Sequence, residues 1–300
     1  MGRRDWRKYN EALVMRGELW IKKELLSKIK EEVREVSKKR GRPYKFPTFL
    51  IIFFLILKYK FKLGYRQLEG FIRAMFGGLG ILIPNFRTIW YRNKKMEIEY
   101  DMGEEISEDA IVVLDSTGIK ITNRGEWMRS RERVSNRRGW VKVHIAYDLK
   151  AGKVVGFEVT DERGQDCKEG LKMLKELYEK TKRSNKRIRK VIADAGYDTH
   201  EIFNYLSERY ISAVIKLRRN AKLSDNLSRS RIIRYMRDSG GNWSRELGYN
   251  KRWLIESFFS SYKRFFGEHV SSRRMDSIKK EIFFKLLIMN SFYSYNNLTN

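Results

Sequence analysis

Three carboxylates stand out by the residues around them. Asp115 follows the apolar run AIVVL and opens DSTG, and Asp194 follows VIA within VIADAGYD. Each reads as the residue that ends a buried strand. In an open α/β sheet, reactive groups collect at such ends, near the switch in strand order. If the two strands are parallel neighbours, both acids share one rim, where they raise each other's pKa unless a cation lies between them. A third acid, Glu256, falls on a long helix predicted from about Tyr249. Tyr249, Arg252, Glu256 and Lys263 are spaced by 3, 4 and 7 residues. At ~100° per residue those steps keep all four on one helical face, with Trp253, Phe258 and Phe265 at other angles. The same spacing also suits an exposed face of charge pairs. Three carboxylates converging at a sheet edge would suit Mg²⁺ or Mn²⁺. Two such ions about 4 Å apart are the usual clamp for phosphodiester chemistry. His144, inside a predicted strand, and His200, at a helix start, read as structural.

The elements that must position these acids follow from periodicity. After AIVVL (Ala110–Leu114), the segments WVKVHIAYD (Trp140–Asp148) and KVVGFEVTD (Lys153–Asp161) alternate on either side of LKAGK, which predicts a hairpin. An amphipathic helix is predicted over Asp166–Arg183, a strand over Arg189–Ala193, a helix over Thr199–Arg209 and a strand over Ile211–Leu217. A basic loop or short insertion follows, within Lys216–Arg252, and a last helix covers Asp276–Tyr293. The order βββαβαβα implies a mixed sheet, antiparallel first and parallel afterwards, with helices on both faces.

Residues 1–105 read as helical: a charged helix over Glu18–Lys39, one opening near Pro47 and ending near Gly64, and two shorter ones over Tyr65–Phe76 and Phe86–Lys95. The last pair could be a helix-turn-helix whose second helix presents Arg87, Thr88, Tyr91, Arg92 and Asn93 to DNA, or an ordinary helical hairpin. The expected division is therefore a helical domain over 1–105 and an α/β domain over 106–300, with a basic insertion around 218–248.

Charge narrows the partner. The 300 residues carry 64 Lys plus Arg against 37 Asp plus Glu, a net charge of +27, with 42% hydrophobic residues. That is enough apolar material for a core, so the basicity belongs to a folded protein in need of a polyanion, nucleic acid first and an anionic membrane surface second. The excess is +11 up to residue 105 and +16 beyond it, so both parts share it. A single cysteine, Cys167, excludes an intramolecular disulfide framework or a thiolate zinc site and reads as a small, partly buried residue. The start MGRRDWRKYN predicts no secretory signal. The apolar run Phe49–Leu57 is nine residues long, where a membrane span needs roughly 20.

Taken together, these segments resemble the DDE transposases of bacterial and archaeal insertion sequences over nearly the whole chain. The helix signature of that group, Tyr–two–Arg–three–Glu–six–Lys, is present as Tyr249, Arg252, Glu256 and Lys263. LDSTGIKI is similar to the segment of the family's first aspartate and IADAGYD to that of its second. GEW, WVKVHIAYD, GKVVGFEVTD, YNEALVMRGEL and GYRQLEGFIRAMF add to the likeness. The resemblance implies an RNase H-like core whose Asp115, Asp194 and Glu256 hold two Mg²⁺ ions, with Mn²⁺ substituting. It implies that Tyr249, Arg252 and Lys263 contact the phosphates of the transposon end, and that the N-terminal helices recognise terminal inverted repeats. The implied reaction cleaves the ends and joins their 3′-hydroxyls to target DNA, in a synaptic homodimer working in the cytoplasm at the nucleoid. Glu256 lies only 62 residues after Asp194, which leaves no room for a large inserted β-domain. Two other readings stand beside this one: a nuclease that cuts without joining, and a catalytically retired DNA-binding descendant.

Overall fold

The computed structural model describes residues 45–78, 82–96, 106–121, 139–223, 227–239 and 242–294, with isolated positions at 6, 7, 10, 11, 14 and 102. The helix expected over Glu18–Lys39 and the GEW segment lie outside the described residues. The chain divides into two compact units, one from residues 1–100 together with 274–300 and the other from 101–273. The last helix therefore groups with the helical unit rather than with the sheet, where the sequence reading had put it.

The helical unit is built around α1 (Thr48–Lys60), which is apolar at nearly every position and buries Leu50, Ile51 and Phe53 through Leu57. A helix hydrophobic all round belongs inside a bundle. It packs against α2 (Tyr65–Phe76), α3 (Phe86–Lys95) and the last helix, α8 (Met275–Ser294). Among the described residues no helix is long and apolar enough to cross a membrane. Asn85 starts α3 by accepting the Thr88 amide at 2.8 Å, the usual role of a short polar side chain at a helix N-cap. Its far end is finished by α8: the buried Lys280 ammonium donates to the carbonyls of Asn93 (2.8 Å), Lys94 (3.2 Å) and Met96. Those are orphan acceptors of a helix C-terminus, where a cation is favoured. Beside it, Tyr59 stacks on Phe284 with centroids 5.8 Å apart, and Lys285 pairs with Glu281 at 2.8 Å, both buried. Nine residues, 77–85, separate α2 from α3, more than the three or four of a helix-turn-helix.

The second unit carries β1 (Ala110–Ile121), β2 (Trp140–Asp148), β3 (Lys153–Asp161), α4 (Asp166–Arg183), β4 (Ile188–Ala193), α5 (His200–Ser207), β5 (Ser212–Ile215), α6 (Leu227–Asp238), α7 (Trp253–Phe266) and the short β6 (His269–Val270). Its sheet runs β3-β2-β1-β4-β5, with β6 beside the far end of β1. The first three strands are antiparallel; β4 and β5 are parallel to β1. This is the mixed sheet that the strand order predicted, antiparallel first and parallel afterwards. One face (Val112, Leu114, Ala146, Val155, Ala193, Ile215) packs on Leu171, Leu174 and Leu177 of α4 and on Ile202, Phe203 and Leu206 of α5, with Cys167 against the same cluster. The odd-numbered residues of β1 face the other way, towards α7, where Phe258 meets the Tyr147 ring at 5.4 Å.

Three expectations need correction. β1 does not stop at Leu114; it continues to Ile121 because β2 pairs along its whole length and β6 joins its far half. The Ser-rich stretch expected to be a loop contains α6, whose Arg229, Ser230 and Ile233 turn inward. The Arg229 guanidinium grips Asp198 through two bonds, of 2.7 and 3.0 Å, which anchors α6 to the turn after β4. Finally, Tyr249–Arg252 form a 3₁₀ turn before α7, so the signature residues do not lie on one continuous α-helix.

Candidate active site

The sheet brings the first two acids together by register. β1 and β4 pair in parallel up to Leu114 opposite Ala193, so the next residues, Asp115 and Asp194, leave adjacent strands at the same level. There β4 ends and β1 goes on. Asp194 caps a 3₁₀ turn, Ala195–Tyr197, and its Oδ1 accepts the Gly196 amide at 2.9 Å. Asp115 Oδ1 accepts the amide of Ser116, also at 2.9 Å. A Cβ at Gly196 would stand 3.0 Å from Asp194 Oδ1, tight enough to press on that carboxylate, and 3.5 Å from Asp166 Oδ2.

Glu256 comes from the first turn of α7 and reaches the same rim through Arg252. One guanidinium nitrogen of Arg252 donates to Asp115 Oδ2 at 2.7 Å and another to Glu256 Oε1. Arg252 thus bridges two members of the acidic set. Tyr249, its ring 4.9 Å from that of Trp243, is within hydrogen-bonding reach of the same guanidinium. Asp115, Glu256 and Lys263 line one groove together with Ser260 and Glu268. The 3₁₀ turn followed by a helix therefore assembles what a single helix face was expected to assemble.

The electrostatics follow from this crowding. Burial pushes the Asp115 carboxyl up to about 6; Arg252 and the Ser116 amide oppose the rise, and the negative charges of Asp194 and Glu256 add to it. Burial works against the Arg252 charge, but Asp115, Tyr249, Glu256 and Asp194 together raise its pKa. The Asp115 side chain is 13% exposed and that of Glu256 54%. No three His, Cys, Asp or Glu side chains among the described residues converge closely enough to hold a metal as they stand. The donors nevertheless fit a hard divalent cation in kind and in place. They are all carboxylates, two held by backbone amides at one strand rim, with a surplus of negative charge that a guanidinium partly offsets.

The remaining expected residues divide. Arg87 is exposed on α3, beside Trp90 and Tyr91, which are 48% and 46% exposed. Arg92, expected to face DNA, is 8% exposed and donates to the Phe46 carbonyl (2.9 Å) and the Thr48 hydroxyl (2.7 Å). It ties α3 to the start of α1, and Asn93 is buried beside it with an amide bond to the Tyr65 hydroxyl at 2.8 Å. His144 is fully buried, in line with a structural role. Sequence reasoning passed over Lys142 and Asp166, which form an ion pair of 2.6 Å close to the carboxylates. The available signal was Lys142 and His144 at alternate positions of β2, polar where the face under α4 should be apolar.

Comparison with known proteins bears on the family of the chain. A family model described as "Transposase DDE domain" matches residues 106–291, more than half of the chain, and a second of the same description matches residues 14–124. Similar solved structures include the piggyBac transposase synaptic complex with hairpin DNA, at 11% identity and a TM-score of 0.42, covering 95% of this chain and 74% of that one. The Drosophila P element transposase strand transfer complex is similar at 14% identity and a TM-score of 0.35, covering 88% and 69%. The Mos1 mariner paired end complex with Mn is similar at 13% identity and a TM-score of 0.33, covering 86% and 80%.

Proposed function

We infer that this chain, which belongs to the transposase DDE domain family, holds its divalent metal with Asp115, Asp194 and Glu256 and cuts DNA at that rim. The protein is a transposase: it cuts and joins DNA, and it draws on divalent metal ions as the family does. The observation that carries the residue assignment is the parallel register of β1 and β4, which delivers Asp115 and Asp194 to one level. The charge of Glu256 acts on Asp115 there, and Arg252 links the two.

Two Mg²⁺ ions, for which Mn²⁺ substitutes, would activate the attacking hydroxyl or water and stabilise the leaving oxygen. The chain's own residues prepare the site. The Ser116 and Gly196 amides hold one oxygen each of Asp115 and Asp194, so the carboxylates are oriented beforehand. Arg252 is spread between Asp115 and Glu256. Its forked donors are also suited to a DNA phosphate, which Arg252 would pair with if a metal held by Asp115 and Glu256 took over the balancing of their charge. Lys263, on the same groove, and Tyr249 extend that contact along the backbone.

The substrate is double-stranded DNA, the terminal inverted repeats first and target DNA second. The freed 3′-hydroxyl is joined to the target by a homodimer on paired ends at the nucleoid. Arg87, Trp90 and Tyr91 on α3 form the exposed part of the helical unit that suits the repeats. A plasmid carrying the element's ends, incubated with protein and Mg²⁺, tests the whole reading. Cleaved ends and integrated products are expected from the native chain, and neither from Asp194→Ala, with end binding retained. Cleavage without integration would select the nuclease reading. No cleavage at all by the native chain would select a retired DNA-binding protein. Metal-dependent cleavage by Asp194→Ala would overturn the triad.

A further inference from the structure

A second polar cluster lies on the reverse face of β1 from Asp115. Ser116 is paired with His144 across the β1–β2 ladder, and Gly118 with Lys142, so the side chains of Ser116, His144 and Lys142 point together under α4. Asp166, the first residue of α4, meets them there. Its Oδ2 accepts the Lys142 ammonium at 2.6 Å. Its Oδ1 stands 3.2 Å from His144 Nδ1, an ion-pair contact without the alignment of a good hydrogen bond. The Ser116 hydroxyl, on the same face, favours the charged form of that carboxyl. His144 is held from its other side, with Nε2 2.9 Å from the Thr160 hydroxyl, which itself donates to the Asp161 carbonyl. Burial alone would raise the Asp166 carboxyl, but the bonds from His144, Lys142 and Ser116 hold it well below the usual range. Asp166 is therefore a fixed anion with its donors supplied by two strands.

Both aspartates are held by backbone amides of residues that neighbour Asp166. The Ser116 amide holds Asp115, and the Ser116 side chain stands on the Asp166 side of β1, where it helps to hold that carboxyl low. The Gly196 amide holds Asp194, and the space beside the Gly196 Cα is bounded by Asp166 Oδ2. We propose that Asp166, secured by Lys142 and His144, is a positioning residue that sets the orientation of Asp115 and Asp194 by acting on Ser116 and on the Gly196 turn. Partners one layer behind the ligands of a metal site orient those ligands, and losing one costs roughly 10- to 100-fold in metal affinity or activity. The proposal rests on the reading of Asp115 and Asp194 as metal-holding residues.

The test measures Mn²⁺ affinity by electron paramagnetic resonance titration, together with Mn²⁺-dependent nicking of a plasmid carrying the element's ends. The variants are Asp166→Ala, Asp166→Asn, Ser116→Ala and the Ser116→Ala/Asp166→Ala double. Asp166→Ala should weaken Mn²⁺ binding and nicking by roughly 10- to 100-fold. Ser116→Ala should do so less, and Asp166→Asn, which keeps an acceptor, should fall between Asp166→Ala and the native chain. The double variant should be no worse than Asp166→Ala alone, because residues that act through one another are not additive. Lys182→Ala, which breaks the exposed pair of 3.3 Å with Glu179 on the same helix as Asp166, should leave both readouts unchanged. Native Mn²⁺ affinity in Asp166→Ala or Ser116→Ala, or full additivity in the double, overturns the proposal. If Asp166→Ala does not fold, Ser116→Ala and Asp166→Asn decide the matter by the same criteria. Asp115→Ala separates the two levels. Unchanged Mn²⁺ binding there brings down the metal-site reading itself, whereas its loss beside unaffected Asp166 and Ser116 variants brings down only the positioning role.

Discussion

Replacing Asp115 by Asn should make the metal-free protein more stable at neutral pH. The folded carboxyl titrates at about 6 against 3.8 for the free group. At 1.36 kcal/mol per unit, holding it ionised costs the native state about 3 kcal/mol above pH 6. The sign follows from proton binding. Between pH 3.8 and 6 the native state binds more protons at this position than the unfolded chain, so its contribution to stability falls as pH rises through that window. Asn removes the penalty but also leaves Arg252 with Glu256 alone, so a net gain of about 1–2 kcal/mol is the expected share. For a unit of this size, that is a rise of roughly 2–8 °C in melting temperature. Melts of the two proteins in EDTA from pH 4 to 8 would show it: the gap is full above pH 6 and closes towards pH 4. Adding Mn²⁺ should reverse the order, because an ion that binds only the folded native site stabilises it by mass action, and the Asn variant loses that site. An Asn variant less stable than the native chain at pH 7.5 in EDTA, or one equally stabilised by Mn²⁺, would refute the reasoning.

Asp198→Ala should cost about 3–5 kcal/mol in denaturant unfolding, since it leaves Arg229, whose side chain is only 9% exposed, without the carboxylate it grips. The Asp198 carboxyl is held below its usual pKa because the hydrogen bonds and charges of Arg229 and Arg218 outweigh its burial. Its stabilisation is therefore present above pH 4 and lost as acid carries the solution through the lowered value. Gly170→Ala places a Cβ 2.5 Å from the Tyr197 ring and should cost about 1–3 kcal/mol by overpacking, read from the same unfolding curves. Arg92→Ala should lower the melting temperature of the protein while leaving the salt dependence of DNA binding as it was. Arg87→Ala should do the converse, reducing the slope of log affinity against log salt by about 1.

The sheet was legible because its strands alternate cleanly: the bounds of β2, β3 and α4 agree with the hydrophobic pattern to the residue. The far half of β1 was not, since DSTGIKI reads as a turn until β2 and β6 are known to flank it, and pairing partners are not written in a strand's own sequence. α6 was hidden for a related reason. Its inward positions include Arg229 and Ser230 rather than aliphatic residues, so the periodicity of polar burial does not register as amphipathic. The acids themselves were found from the runs before them. Arg92 was misassigned because an arginine on a short basic helix looks alike whether it faces solvent or the carbonyl of Phe46. Asp166 could not be found at all, because its role depends on which strand face lies under the start of α4.

The bonds from Lys280 to the end of α3 bear on how the chain is made. The helix that offers Arg87 and Trp90 is completed by a side chain encoded almost two hundred residues later, with the entire mixed sheet synthesised in between. Contacts of such separation form late and slowly. During translation, every strand and helix of the sheet unit is synthesised before α8, so the helical unit lacks one wall until that helix has been made. A ribosome-bound chain arrested before residue 275 would lack the Lys280 ammonium, leaving the last carbonyls of α3 without that donor. The far end of the helix that carries Arg87 is thus finished only once the last helix has been made.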